Sequence, residues 1–271
     1  MIRITLSGRL GNCMFQYAVG RTLALRHRTD LVLDVSRLRR RTRRGLEHFG
    51  LIAALEPAWW QPTLLYRRTP TYTETGLAYS DRVLALPDGS WLQGLFQCSR
   101  YLADDWAVLR LELSPRLDRV RDRDIALERS VDGASAIAVH VRRGDYVQKS
   151  LFDVCTEAYY RTCMDRLRSE IPNAKFHVFS DDLAWCYANL SAPDVTIVDT
   201  RARPRAIFDL WLMCHCRHHI VANSTFSWWA AMLGAMPGQR VLVPERWFNE
   251  KAMSQIAMRD LVPASWERVP V

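Results

Sequence analysis

The chemistry-bearing residues of this chain gather in four short segments. In His140-Val141-Arg142-Arg143-Gly144-Asp145, a β-rich run from Ala136 to Val141 meets a basic turn. On an extended segment His140 and Arg142 share a face, and Arg143 points the other way. A guanidinium at a strand end can hold a diphosphate bidentately and keeps its charge throughout a reaction. A structural Arg143–Asp145 ion pair is the alternative for this turn.

Asn223-Ser224-Thr225-Phe226-Ser227-Trp228-Trp229 places hydroxyls and backbone N–H groups at a helix start, either as a phosphate cradle or as a simple cap. Trp228 and Trp229 cannot share one helix face, so at least one is expected in the core. Gly8-Arg9-Leu10-Gly11-Asn12 is a glycine-rich strand-to-helix turn that lets backbone approach a phosphate or sugar. It is not a GxGxxG fingerprint, and taken alone it is as readily structural. The adjacent acids of Ser180-Asp181-Asp182 suit magnesium with phosphates. Capping of the next helix is the favoured reading of that pair.

These segments need elements to hold them. Ile2 to Leu6 reads as a strand, the residues after Gly11 as a helix to His27, and Leu31 to Leu33 as a buried strand. Residues 35 to 90 read as irregular. Trp91 to Phe96 is a strand and Arg100 to Leu113 a helix ended by Ser114-Pro115. Further on, strands are expected at Ala136–Val141, Phe176–Phe179, Val195–Val198, Ile220–Ala222 and Arg240–Val243. Helices are expected at Thr156–Glu170, at Pro204–Cys216 and after Ser224, the second with proline near its start. Strands alternating with helices imply parallel sheets with ligands at the strands' carboxyl ends. Two series joined near residues 114 to 135 make the fold class α/β, with two Rossmann-like lobes and an interlobe cleft.

Composition bounds the alternatives. The chain has 271 residues, 37 Lys+Arg against 29 Asp+Glu, a net charge of +8 and a pI near 9.3. Much of the excess is arginine in Arg37 to Arg44 and around Arg116 to Arg129. Phosphate-bearing substrates, anionic membrane and nucleic acid all suit such charge, but no aromatic residue interleaves the first run as single-strand binding would favour, and a solvated loop face is the favoured reading, with anionic-lipid contact next. Seven cysteines without a CxxC pair read as reduced, mostly buried thiols in a cytoplasmic protein. No stretch is apolar enough to span a membrane, and the N-terminus reads as a strand rather than a signal peptide.

Taken in order, GRLGNCMFQYA (Gly8 to Ala18), WLQGLFQCSRYL (Trp91 to Leu102), HVRRGDYV (His140 to Val147), FSDD (Phe179 to Asp182) and DLWLMCHCRHHIVANSTFSWWAA (Asp209 to Ala231) resemble the α-1,2-fucosyltransferase family. The likeness covers nearly the whole chain and is least over residues 35 to 90. It implies a GT-B-type fold, with an acceptor-side lobe over residues 1–130 and a GDP-fucose-binding lobe over residues 131–271. It also implies GDP-β-L-fucose as donor, a β-galactoside acceptor, inversion, no metal and no cofactor beyond the co-substrate.

The His-x-Arg element and the first Gly-Asn loop are also similar to those of α-1,6- and protein O-fucosyltransferases. That resemblance makes Arg142 the diphosphate ligand and puts Arg9, Gly11 and Asn12 beside the donor sugar and β-phosphate. His140 and Asp209 would address guanine or ribose, and Ser224, Thr225 and Phe226 the phosphates. Arg142, Asn12 and Asp145 form the catalytic set, Asp145 as candidate base with pairing to Arg143 as its other role. Cys13 departs from the pattern, standing where the family usually has Gln.

Two rival functions follow from the same residues. One is a fucosyltransferase of other linkage, such as α-1,6. The other is a non-catalytic basic nucleotide- or nucleic-acid-binding protein, whose salt-sensitive polynucleotide binding would survive Arg142→Ala. A galactose-terminated or lipid-linked glycan is the expected acceptor, with peripheral contact to an anionic inner membrane face through the Arg37 to Arg44 run.

Overall fold

The computed structural model describes residues 1–56, 70–116, 125–200 and 205–271. The chain forms two compact units, Met1–Ser114 with Arg259–Pro263, and Pro115–Met258 with Ala264–Val271. Pro204 and residues 117–124 of the second arginine-rich stretch lie outside the described residues.

The first unit carries β1 (Ile2–Thr5), α1 (Leu10–His27), β2 (Leu31–Asp34), α2 (Arg40–Leu46), β3 (Ala54–Glu56), β4 (Thr71–Thr73), α3 (Asp81–Leu84), β5 (Trp91–Gln93) and α4 (Trp106–Leu113). Its five strands are parallel in the order β3-β2-β1-β5-β4. β1 and β2 are buried along their whole length, as a parallel sheet covered on both faces requires. α1 is buried almost throughout up to Ala24 and closes at Arg28, whose left-handed φ of 51° turns its N–H back to the Ala24 and Leu25 carbonyls. Arg26 and His27 in the last turn suit the negative end of the helix dipole.

The second unit carries α5 (Ile125–Val131), β6 (Gly133–Val141), α6 (Glu157–Glu170), β7 (Lys175–Ser180), α7 (Leu183–Leu190), β8 (Val195–Ile197), α8 (Arg205–His215), β9 (Cys216–Ile220), α9 (Thr225–Leu233), β10 (Val241–Pro244), α10 (Lys251–Asp260) and β11 (Glu267–Val269). Its six parallel strands run β11-β10-β9-β6-β7-β8, which is the 3-2-1-4-5-6 order of a Rossmann sheet read from its other edge. Ile137, Val139 and Val141 of β6 pack with Tyr159, Tyr160 and Leu167 of α6, and all are buried. Thr156 caps α6 by accepting the Tyr159 N–H at 3.2 Å. Trp228 and Trp229 are both fully buried, their rings 5.1 Å apart and nearly perpendicular.

Several sequence expectations are corrected. Residues 35 to 90 are not uniformly irregular: the arginine run folds in part as α2, and β3, β4 and α3 follow. The helix expected over 100–113 is split into a 3-10 turn at Ser99–Leu102 and α4. The strand expected at 220–222 is β9 at Cys216–Ile220, which follows α8 without an intervening loop. Among the described residues no helix is long and apolar enough to cross a membrane.

Candidate active site

Each sheet reverses its strand order once, and in open α/β sheets such a reversal opens a crevice at the strands' carboxyl ends. In the second unit the reversal lies between β6 and β9. The two richest segments of the sequence, His140 to Asp145 and Asn223 to Ser227, follow these two strands.

Arg142 leaves the end of β6 largely buried and is held by two carboxylates. Its Nη1 lies 2.6 Å from Asp181 Oδ2, and its Nη2 pairs with Asp145 Oδ1. Arg143 turns the other way, with Nε 3.2 Å from Asp182 Oδ2 and its guanidinium 4.4 Å from the centre of the Trp185 ring. The expected Arg143–Asp145 pair is therefore replaced by Arg142–Asp145 and Arg143–Asp182. The physical reason is strand alternation: two consecutive arginines reach opposite sides of β6, and only Arg142 comes round to the turn.

The adjacent acids divide their work. Asp182 caps α7, Oδ1 accepting the Trp185 N–H at 3.1 Å. Asp181 instead accepts the backbone N–H groups of Arg143 at 3.0 Å and Gly144 at 3.2 Å on Oδ1, while Oδ2 meets Arg142. Among the described residues no cluster of three or more His, Cys, Asp or Glu is placed to hold a metal.

His140 is buried with Nδ1 2.9 Å from Ser227 Oγ, beside the Phe226 ring at 5.6 Å. Burial, helped by the Arg142 charge, pushes its pKa down to about 3, so the ring is neutral. Ser224 is the N-cap of α9, Oγ accepting from the Phe226 N–H at 3.4 Å, and Thr225 is the first residue of that helix. Asn223 is structural: its amide nitrogen donates to the Phe152 and Trp247 carbonyls, each at 3.0 Å. Asp209, on α8, is buried and accepts the Thr200 hydroxyl at 2.5 Å.

In the first unit the order reverses between β1 and β5. Gly8 has φ +82°, and Arg9 precedes α1 without capping it by its side chain. Gly11 is buried, and Asn12 is half-buried with Oδ1 accepting from Gln97 Nε2 at 3.0 Å. Cys13 points inward, its Sγ 3.8 Å from the Ser7 carbonyl and its thiol pushed up to about 12 by burial. Asp34 is taken by Thr5 Oγ1 at 3.0 Å and the Ser36 N–H at 3.0 Å.

The structure thus brings His140, Arg142, Asp145, Ser224, Thr225 and Phe226 to the strand reversal of the second sheet, and Arg9, Gly11 and Asn12 to that of the first. Gln97 and Thr200, each bonded to a candidate residue, carry no sequence signal for that contact. Their partners are distant in the chain or set by an irregular loop, and no spacing rule reports such contacts.

Comparison with known proteins assigns the chemistry to a family. The profile of Glycosyl transferase family 11 matches residues 78–266. The chain belongs to this family. An alpha-1,2-colitosyltransferase of Escherichia coli is 28% identical over 97% of this chain and 97% of its own length. The human galactoside alpha-(1,2)-fucosyltransferase 1 is 36% identical over 36% of this chain and 28% of its own length. The NodZ alpha-1,6-fucosyltransferase co-crystallised with GDP superposes with a TM-score of 0.54 at 17% identity, covering 86% of this chain and 92% of that one. The last likeness concerns the fold alone. Family 11 membership makes the protein a glycosyltransferase of the fucosyltransferase group with a GT-B-type pair of Rossmann-like lobes.

Proposed function

We propose that this chain moves L-fucose from GDP-β-L-fucose to the 2-hydroxyl of a terminal β-galactoside, with inversion and without a metal ion. The observation that carries the reading is the seat of Arg142, at the end of β6 and at the strand reversal shared with the start of α9. In this scheme the second unit is the donor-binding lobe and the first the acceptor-side lobe. Arg142 with Ser224, Thr225 and Phe226 holds the diphosphate, and His140 and Asp209 address guanine or ribose. Arg9, Gly11 and Asn12 contact the donor sugar and β-phosphate.

The bond between fucose C1 and the phosphate oxygen breaks, leaving oxocarbenium character on the sugar and negative charge on departing GDP. Fixed donors placed where that charge grows are worth roughly 3–4 kcal/mol each. Galactose O2 bonds to C1 from the opposite face and gives up its proton to a base. Asp145 is the candidate, because a diphosphate drawing Arg142 toward itself would free this carboxylate from its ion pair. The engagement of Asp181 and Asp182 by arginines and backbone N–H groups supports metal-free chemistry.

The α-1,2 linkage draws support from the names of the relatives, and one of those names makes colitose the rival sugar. GDP-fucose and GDP-colitose offered in competition decide between the donors. Incubation of the purified protein with GDP-fucose and lactose, followed by NMR of the product, tests the whole reading. Fucose on O2 of galactose, and no transfer by a folded Arg142→Ala protein, are expected. Another linkage, or turnover retained by that variant, rejects it.

The natural acceptor in this proposal is a lipid-linked glycan at the cytoplasmic membrane face. Arg39, Arg40, Arg41, Arg43 and Arg44 make no ion pair among the described residues, which suits them to anionic headgroups. Co-sedimentation with vesicles that does not respond to anionic lipid would reject this contact.

A further inference from the structure

Arg142 makes two kinds of contact. The edges of its guanidinium meet carboxylates, Asp145 at Nη2 and Asp181 Oδ2 at Nη1. Its carbon end lies over the ring of Tyr146, with Cζ 5.1 Å from the ring centroid, inside the range of a cation–π contact.

The Tyr146 ring is backed in turn. It lies 5.0 Å from the Phe152 ring at a tilt of 33°, and Phe152 meets the buried Phe248 edge-on at 5.7 Å. Backbone bonds hold the segment that carries these rings. The Tyr146 N–H donates to the Arg143 carbonyl at 2.8 Å, the Phe152 N–H to the Lys149 carbonyl at 2.8 Å, and the Asn249 N–H to the Leu151 carbonyl at 3.0 Å. Asn223, in the loop after β9, donates from Nδ2 to the Phe152 and Trp247 carbonyls. The aromatic stack is therefore tied to the loop that leads into α9.

The two kinds of contact respond differently to an anion. All five guanidinium N–H donors lie in its plane, so carboxylates and a diphosphate compete for the same edges. An aromatic face takes the charge without consuming a donor.

We propose that Tyr146 is a positioning residue, whose ring carries the Arg142 guanidinium while the diphosphate takes the edge that Asp145 holds. That role rests on the reading of Arg142 as the diphosphate ligand. Without the ring, an arginine drawn off Asp145 would regain rotamer freedom that binding must then remove.

A double-mutant cycle on GDP affinity, measured by calorimetry on the full chain, tests the role. Tyr146→Leu keeps an apolar side chain and loses the aromatic face, and it is expected to weaken GDP binding about fivefold. Its kcat/KM for GDP-fucose should fall by at least as much. Tyr146→Phe keeps the face and should match wild type in both measurements. In an Arg142→Ala background Tyr146→Leu should cost no further GDP affinity, whereas a loop that had merely loosened would still cost some. A further loss in that background, wild-type GDP affinity in Tyr146→Leu, or a Tyr146→Phe protein as impaired as Tyr146→Leu overturns the proposal. Unchanged GDP affinity in Arg142→Ala would instead overturn the diphosphate role on which it rests.

Discussion

Asp181 and Gly144 lie closer than any side chain at position 144 would allow. Asp181 Oδ1 accepts the Gly144 N–H at 3.2 Å, and a Cβ on Gly144 would stand 2.5 Å from Asp181 Oδ2, the oxygen that meets Arg142. Backbone turn, carboxylate and guanidinium are therefore one unit. Gly144→Ala is expected to push the carboxylate away and leave Arg142 on Asp145 alone. Transfer should fall about a hundredfold while the fold is retained, since misplacing a catalytic group by an ångström costs that much. Steady-state rates with a thermal melt check it, and wild-type turnover would show that the contact does not matter.

Asp182 carries a prediction of the opposite kind. It caps α7 and holds Arg143, so Asp182→Ala should cost about 1 kcal/mol of stability through the lost cap. Transfer should persist in that variant and in wild-type protein treated with EDTA. Strict dependence on Mg2+ or Mn2+ would instead make Asp181 and Asp182 ligands.

The buried histidines set the response to acid. Burial lowers the pKa of His140, His177, His218 and His219, to about 3 for His140 and His219. Unfolded histidine titrates near pH 6.5. Below that value the unfolded chain binds more protons than the folded one, so stability is full above about pH 6.5 and declines as the pH falls toward 3. The slope is about 1.4 kcal/mol per pH unit for each histidine that stays neutral. Urea midpoints measured between pH 7.5 and 5 should show the decline. His219→Phe, which removes a fully buried titrating ring, should make it shallower. A pH-independent midpoint would contradict this.

Thiol accessibility gives a direct readout of packing. Six of the seven cysteines are buried, and only Cys214 is partly exposed. Burial raises the thiols of Cys98 and Cys186 to about 11 and those of Cys13, Cys155 and Cys163 to about 12. An aromatic disulfide reagent at pH 8 should titrate one thiol in the native protein and seven in urea. Several fast native thiols would mean a looser core.

The sequence was legible where period and caps agree. The strand at Ala136–Val141 and the helix after Thr156 emerge nearly as expected, because a continuous apolar run and a Ser/Thr cap are local signals. α2 was hidden because its arginines, exposed or half-exposed, show no apolar face beyond Leu46. β9 was displaced because its polar start, Cys216-Arg217-His218-His219, lacks the apolar run a buried strand usually shows. In the site, alternation separated Arg142 from Arg143 correctly. The partner of each depended on Asp181 and Asp182, which arrive from the next strand at a register that sequence spacing does not carry.

Arg259–Pro263 belongs to the first unit, where Asp260 accepts the Tyr79 N–H at 3.0 Å and its carbonyl takes the Ser99 hydroxyl at 3.2 Å. During translation those two groups are made long before their partner exists. The stretch Met1–Ser114 therefore leaves the ribosome unfinished, and its last bonds form only after the other unit has been almost wholly synthesised. A C-terminal truncation that removes Arg259–Pro263 would take two bonds from the beginning of the molecule as well as shortening its end.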